Sequence, residues 1–310
     1  LVPSDYLLHP LNTLPRDTTT VVNPQEAAER SVASGTTVTE AISGVVNNFL
    51  LHTRDAQDNY RWTDTTSVLT GYVASDPPVS LSFSYAGGGN YTGSFNPYTA
   101  GDFKMHVLVN GKDIVGSPFA LRVLPGATSA VHTRIDGEGI TRATAGIEAF
   151  FILTLRDAQY NERKSSMNQD VRVEDTRFAC VDQGAGAYRC SYLITRAHTF
   201  YVIIRVNGQY VNPVSPHTFE ITVFPKPVDS TSGVLYLFGY TEFFAQVRRA
   251  TTNPVIFQVK DDFGNNVQDS QSLHIICEAS GPERRSPPYR IPIECLPEGR
   301  PGLFRADLFL

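Results

Sequence analysis

Four cysteines, seven histidines and an aspartate that recurs three times are the residues of this 310-residue chain whose types could do chemistry. Cys180 and Cys190 stand symmetrically on either side of Ala185, in a Gly-rich stretch that predicts a turn. A hairpin there sets the two cysteines opposite each other, within reach of a disulfide. Cys277 and Cys295 are expected on neighbouring strands, so all four cysteines can pair locally, as suits an oxidising compartment. A second reading stays open: Cys180 and Cys190 fall on core-facing alternate positions, where a free cysteine acts as a small hydrophobe.

The histidines (His9, His52, His106, His132, His198, His217 and His274) show no His-x-x-x-His spacing, and the cysteines no Cys-x-x-Cys pair. Neither pattern of a metal site is therefore present. The chain also lacks the Gly-x-x-x-x-Gly-Lys-Ser/Thr phosphate cradle and the Gly-x-Ser-x-Gly nucleophile elbow. No cofactor or metal is expected, and the chain reads as a non-enzymatic structural or binding protein. Asp55, Asp157 and Asp261 recur at equivalent turns, so capping a turn explains them better than acid–base work. Trp62 follows the first of these turns and reads as the anchor of a loop rather than a ligand platform.

Modification is a further kind of chemistry. Asn90-Tyr91-Thr92 is the one N-glycosylation sequon in the chain. Pro77, Pro78, Pro287 and Pro288 fall in expected loops, where they are candidates for hydroxyproline-linked sugars or simply stiff polyproline-like segments.

The elements that must position these residues are strands. Hydrophobic residues make up 41% and charged residues 18% of the chain, with 14 Tyr and 18 Phe, a balance that excludes disorder as the main state. A net charge of −5 offers no positive field for phosphates, so nucleic acid is not an expected partner. No run of about 18 consecutive apolar residues offers a membrane-spanning helix. The segment Arg54-Asp55-Ala56-Gln57-Asp58-Asn59 returns as Arg156-Asp157-Ala158-Gln159-Tyr160-Asn161 and, more loosely, as residues 260–265, giving a period of about 100 residues. Gly89-x-Tyr91 returns as Gly186-x-Tyr188, and Asn110-Gly111 with Ser117-Pro118 returns as Asn207-Gly208 with Ser215-Pro216. Within each unit, short runs alternate apolar and polar residues between Gly, Asn, Asp and Pro turns, as in 81–85 and 219–223. About seven such strands in about 100 residues predict an all-β, immunoglobulin-like sandwich repeated in tandem. One helical turn is expected within 24–30.

In order, the Arg-Asp-Ala-x-x-Asn turn, Gly-x-Tyr, Ala100-Gly101-Asp102-Phe103, Asn110-Gly111 and Gly116-Ser117-Pro118-Phe119 resemble the filamin repeat. The resemblance implies an elongated array with units at 23–124, 125–224 and an incomplete one at 225–310. Residues 1–22 resemble the last two strands of a repeat. Either they belong to a preceding repeat, or they are donated to the open third repeat of a neighbouring copy, where Tyr6, Leu8 and Leu11 would anchor a head-to-tail fibre. Filamin-type repeats occur in actin cross-linkers, ciliary proteins and cell-surface adhesion proteins, so the resemblance implies protein partners without choosing a compartment. The cysteine pairs and the sequon favour an extracellular or cell-surface stalk or fibre over a cytoplasmic scaffold. The family accepts partner strands between its third and fourth strands, which implies Val171, Val173 and Phe178 as the edge in the second unit.

Overall fold

The computed structural model describes residues 25–60, 67–166, 168–227, 234–238, 253–267, 277–280, 290–293, 295–297 and 302–308. The chain divides at Leu124 into two compact units, 1–124 and 125–310. The first contains β1 (Val32–Ser34), β2 (Glu40–Ile42), β3 (Asn47–His52), β4 (Leu69–Val73), β5 (Val79–Ser80), β6 (Ser82–Gly87), β7 (Asn90–Phe95), β8 (Gly101–Val109), β9 (Lys112–Asp113) and β10 (Phe119–Leu124). Two sheets form, ordered β1-β3-β7-β6 and β2-β10-β8-β4-β5, with β9 paired to β8. Alternation along β3 and β7 turns Phe49, Leu51, Tyr91 and Phe95 inward, against Val73, Met105 and Val107 of the facing sheet. Burying both inner faces is what holds the sheets together.

The second unit repeats the plan with β11 (Thr128–Asp136), β12 (Arg142–Thr144), β13 (Ala149–Asp157), β14 (Val171–Val173), β15 (Phe178–Gly184), β16 (Ala187–Tyr192), β17 (Thr199–Val206), β18 (Gln209–Tyr210) and β19 (Thr218–Phe224). Its sheets run β11-β13-β16-β15 and β12-β19-β17-β14. Asn110-Gly111 and Asn207-Gly208 both take positive φ, closing the two-residue hairpins β8–β9 and β17–β18. That is the backbone a type I′ turn demands and the reason Asn-Gly returns at both places. A third sheet, β20 (Val234–Phe238), β21 (Asn253–Lys260), β24 (Cys295–Pro297) and β25 (Leu303–Leu308), has the order β20-β21-β25-β24, matching the four-stranded sheets of the earlier repeats. Beside it, β22 (Cys277–Ser280) pairs with β23 (Arg290–Ile293). The helical turn expected within 24–30 is a single 3-10 turn, Ala28–Arg30.

The recurring aspartate lies three residues beyond β3, ends β13 and directly follows β21. Asp55, Asp157 and Asp261 are all buried. In each, Oδ1 accepts the N–H groups two and four residues on: Gln57 and Asn59, Gln159 and Asn161, Phe263 and Asn265, all at 2.9–3.0 Å. Oδ2 accepts the Nδ2 of the closing asparagine, at 3.0 Å from Asn59 and 2.9 Å from Asn161 and Asn265. In the later two repeats Oδ2 also accepts the backbone N–H of the incoming linker, Gly126 at 2.8 Å and Lys226 at 2.9 Å. A carboxylate buried among N–H donors is stabilised by the hydrogen bonds it accepts rather than by a counter-ion.

Asp157→Ala should therefore destabilise the second unit by roughly 2–4 kcal/mol, because several buried N–H groups lose their acceptor at once; a lowered urea midpoint is the readout. Burial pushes the Asp261 carboxyl up, but the hydrogen bonds from Asn265, Lys226 and Phe263 outweigh it and hold the group below its ordinary value. The stability it contributes is complete above the ordinary carboxylate pKa of about 4 and is lost as pH falls through the depressed value. An unfolding midpoint unchanged between neutral pH and about pH 2 would contradict this account.

Candidate functional site

The two complete sandwiches differ at one edge. In the first repeat β4 is followed by β5, which folds back and pairs with it, Tyr72 opposite Ser80 and Val73 opposite Val79. The Leu81 N–H then donates to the Gly71 carbonyl at 2.9 Å. Gly71 makes this close approach possible: a Cβ there would lie 2.6 Å from the His106 carbonyl oxygen and 2.8 Å from Leu81 Cδ2. Pro77 and Pro78 are exposed in the turn that carries the chain from β4 to β5.

The second repeat has Val173 at the position of Gly71, for Gly71 opposes Val107 of β8 and Val173 opposes the equivalent Ile204 of β17. Between the two strands concerned its chain is five residues shorter. It has no counterpart of β5, and β14 is the last strand of its sheet among the described residues. The N–H of Phe178, the residue equivalent to Leu81, turns back to Asp175 O at 3.1 Å. Asp170 accepts from Asn207 and Glu174 donates to Ile203, each spending its inward backbone group on β17. Strand alternation then directs the N–H and C=O groups of Val171 and Val173 outward.

Val171 and Val173 are half-buried and pack on the core. Phe178, at the edge of the other sheet, packs against Tyr192 with ring centroids 4.4 Å apart, and lies 6.2 Å from Phe151. The implied edge residues are therefore brought to one side of the sandwich, on edge strands of two different sheets. Charges border them in matched pairs: Arg172 with Asp170 at 2.7 Å, Arg177 with Asp175, and Arg205 with Glu174. The Arg177 hydrogen bond holds the Asp175 carboxyl below the usual range. Paired charges leave the apolar side chains and the outward backbone groups as the distinctive chemistry of the edge.

Cys180 and Cys190 oppose each other on β15 and β16 and form a disulfide with Cα atoms 4.0 Å apart. The first repeat fills the equivalent pair with Phe83 and Gly93, and a Cβ on Gly93 would fall 2.3 Å from the Phe49 ring. One repeat thus fills this core position with an aromatic ring over a glycine, and the other with a covalent bond. For the second cysteine pair the backbone departs from expectation. Cys277 opposes Ile293, while Cys295 opposes Ala306 in a different sheet, because Arg290–Ile293 takes the place beside β22. Asn90 lies at the start of β7, half-exposed. Tyr6, Leu8, Leu11, Trp62, Pro287 and Pro288 lie outside the described residues.

Among the described residues, no three His, Cys, Asp or Glu side chains gather where they could hold a metal, and no helix is long and apolar enough to cross a membrane. Spacing alone missed Gly71, Val79, Ser80 and Leu81, whose job is to cover an edge. The available signal was the five-residue excess of the first repeat, which breaks an otherwise regular period.

The family model for the filamin/ABP280 repeat matches residues 25–120 and 127–218, more than half of the chain. The chain belongs to the filamin repeat family. Filamin-C of Rattus norvegicus and of Mus musculus are each 28% identical over 130 residues, 42% of this chain and 5% of theirs. The chain therefore spans a small fraction of the length of these relatives. Among solved structures, the Escherichia coli adhesin FdeC superposes with a TM-score of 0.53 at 18% identity, covering 93% of this chain and 90% of that one. The likeness to FdeC is one of fold: tandem sandwiches of the immunoglobulin type.

Two outcomes are expected. Gly71→Ala should destabilise the first unit by roughly 1–3 kcal/mol, since the added methyl meets a backbone carbonyl that cannot retreat, and should leave the second unit's transition in place. Replacing both Cys180 and Cys190 by Ser should lower the second unit's stability by about 2–3 kcal/mol, the range for so short a closed loop. Denaturant melts of the separate transitions check both.

Proposed function

We propose that this chain is a segment of a non-enzymatic adhesion or structural protein of the cell surface, whose second filamin-type repeat captures an extended partner segment by adding it to β14. The observation that carries the reading is the edge of β14, uncovered among the described residues, with the backbone N–H and C=O groups of Val171 and Val173 directed outward, where the first repeat covers the same edge with its own β5. A strand added there would gain main-chain hydrogen bonds from Val171 and Val173. It would also set alternate side chains beside Phe178, so the fitting partner is an extended peptide with apolar residues at every second position. The self-paired charges around the edge favour a partner chosen by shape and apolar pattern rather than by net charge.

The compartment is inferred from the Cys180–Cys190 bond, since disulfides of this structural kind persist in oxidising surroundings. The fold shared with an adhesin, FdeC, is compatible with it. A cytoplasmic scaffold of the filamin kind is the competing reading. It requires these two cysteines to be reduced in the cell. A non-reducing mass of the protein from its native source, about two hydrogens below the reduced value, separates the two.

A displayed library of extended peptides, panned on the intact chain, should yield binders with alternating apolar residues. Val173→Pro should abolish their binding. The Val173 N–H points away from β17, so this proline removes an outer donor while sparing the inner ladder. Selected peptides that bind the Val173→Pro chain as tightly as the parent would rule out strand addition at β14.

A further inference from the structure

We infer that Asn90 is an N-glycan acceptor, and that the first repeat is built to carry the sugar on the outer face of its four-stranded sheet. A sequon alone says little; the geometry around this one says more. Asn90 opens β7, directly after the Gly87-Gly88-Gly89 turn. The strand's alternation buries Tyr91 and Gly93 and turns Asn90 and Thr92 to the solvent side. The acceptor amide and the hydroxyl that completes the sequon therefore share one accessible face.

The amide itself is oriented by its neighbours. Asn90 Oδ1 accepts from His52 Nδ1 at 2.6 Å, and His52 Nε2 lies 3.1 Å from the Ser34 hydroxyl. With the His52 proton on Nδ1, Nε2 is free to accept from Ser34, and the row Ser34–His52–Asn90 runs across β1, β3 and β7. Fixing the carbonyl end toward His52 turns Nδ2, the nitrogen a glycan would occupy, the other way. The space on that side is open. A Cβ built on Gly88 meets only Asn90 Nδ2, at 3.8 Å, and one on Gly87 meets nothing within 4 Å. The Gly87 and Gly88 positions beside Asn90 would thus admit a side chain, so the hairpin tip is uncrowded there. The second repeat has Ala187-Tyr188-Arg189 at the equivalent place, so the feature belongs to the first repeat and is not a by-product of the repeat pattern.

The site follows from the fold; its use in the native cell rests on the cell-surface reading above. The experiment keeps the two apart. The full chain, fitted with a secretion leader, is expressed in a eukaryotic host that glycosylates a control protein. The expected result is one glycan, removed by peptide-N-glycosidase with Asn90 converted to Asp in the peptide map. Thr92→Ala should lose the mobility shift, and Thr92→Ser should restore it at an unchanged thermal midpoint, which separates loss of the sequon from loss of the fold. Folded, secreted chain with Asn90 unmodified overturns the proposal, as does a glycan that survives Thr92→Ala. The same peptide map on protein from its native source tests the compartment: Asn90 modified there supports both readings, and Asn90 bare there, though modified in the host, overturns the cell-surface reading.

Discussion

The outermost strand of a sheet carries N–H and C=O groups that must be paired by the chain, by water or by a partner, and both complete repeats are organised around how that demand is met. The first repeat meets it internally. It spends five extra residues to bring β5 against β4, and a glycine at position 71 to let Leu81 close over it. At the opposite side of the same sandwich, the Val115 N–H donates to Ser31 O at 3.1 Å, drawing β1 toward the neighbouring sheet. The second repeat keeps the strand order and the core but not the cover. Its shorter connection turns back on itself at Asp175–Phe178, and Val173 stands where the glycine was. A difference of a few residues thus separates an edge covered by the chain's own strand from one left uncovered among the described residues.

What keeps the repeats comparable is the buried aspartate at the end of each long strand. It fixes the turn through two backbone donors and, in the second and third repeats, holds the entering linker by a further one. The third turn also reaches outward: Asn265 donates to Thr195 O at 2.6 Å and accepts from the Ala197 N–H at 2.7 Å, while a Cβ on Gly146 would fall 2.1 Å from the Phe263 ring. Turn, linker and adjoining repeat are therefore fastened by one short segment. This explains why Asp and Asn four residues apart recur while the residues between them vary: Ala, Gln and Asp, then Ala, Gln and Tyr, then Asp, Phe and Gly.

Features set by local chemistry were legible in the sequence. The period, the turn-capping aspartates and the facing positions of Cys180 and Cys190 each depend on residues close in the chain, and all reappear in the fold. Val171, Val173 and Phe178 were reached through resemblance, and the structure gathers them at one side of the sandwich. That their edge is open could not be read from them, because openness depends on whether another segment arrives. The route from Val73 to Leu81 is a matter of tertiary pairing, and no property of Val173 announces it. Cys277 and Cys295 show the same boundary from the other side: nearness in the repeat suggested neighbouring strands, but a short intervening strand with its own partner separates them.

One repeat with this edge covered and the next with it uncovered among the described residues is the contrast on which the proposed capture of a partner strand rests. That picture stands or falls on the state of β14. Amide hydrogen exchange on the free, intact chain, resolved residue by residue, tests it most directly. The account predicts fast exchange at Val171 and Val173, slow exchange at Glu174, whose N–H is spent on β17, and slow exchange at Leu81 in the covered edge of the first repeat. Protection at Val171 and Val173 equal to that at Glu174 would mean that the edge is already occupied, and would contradict the account.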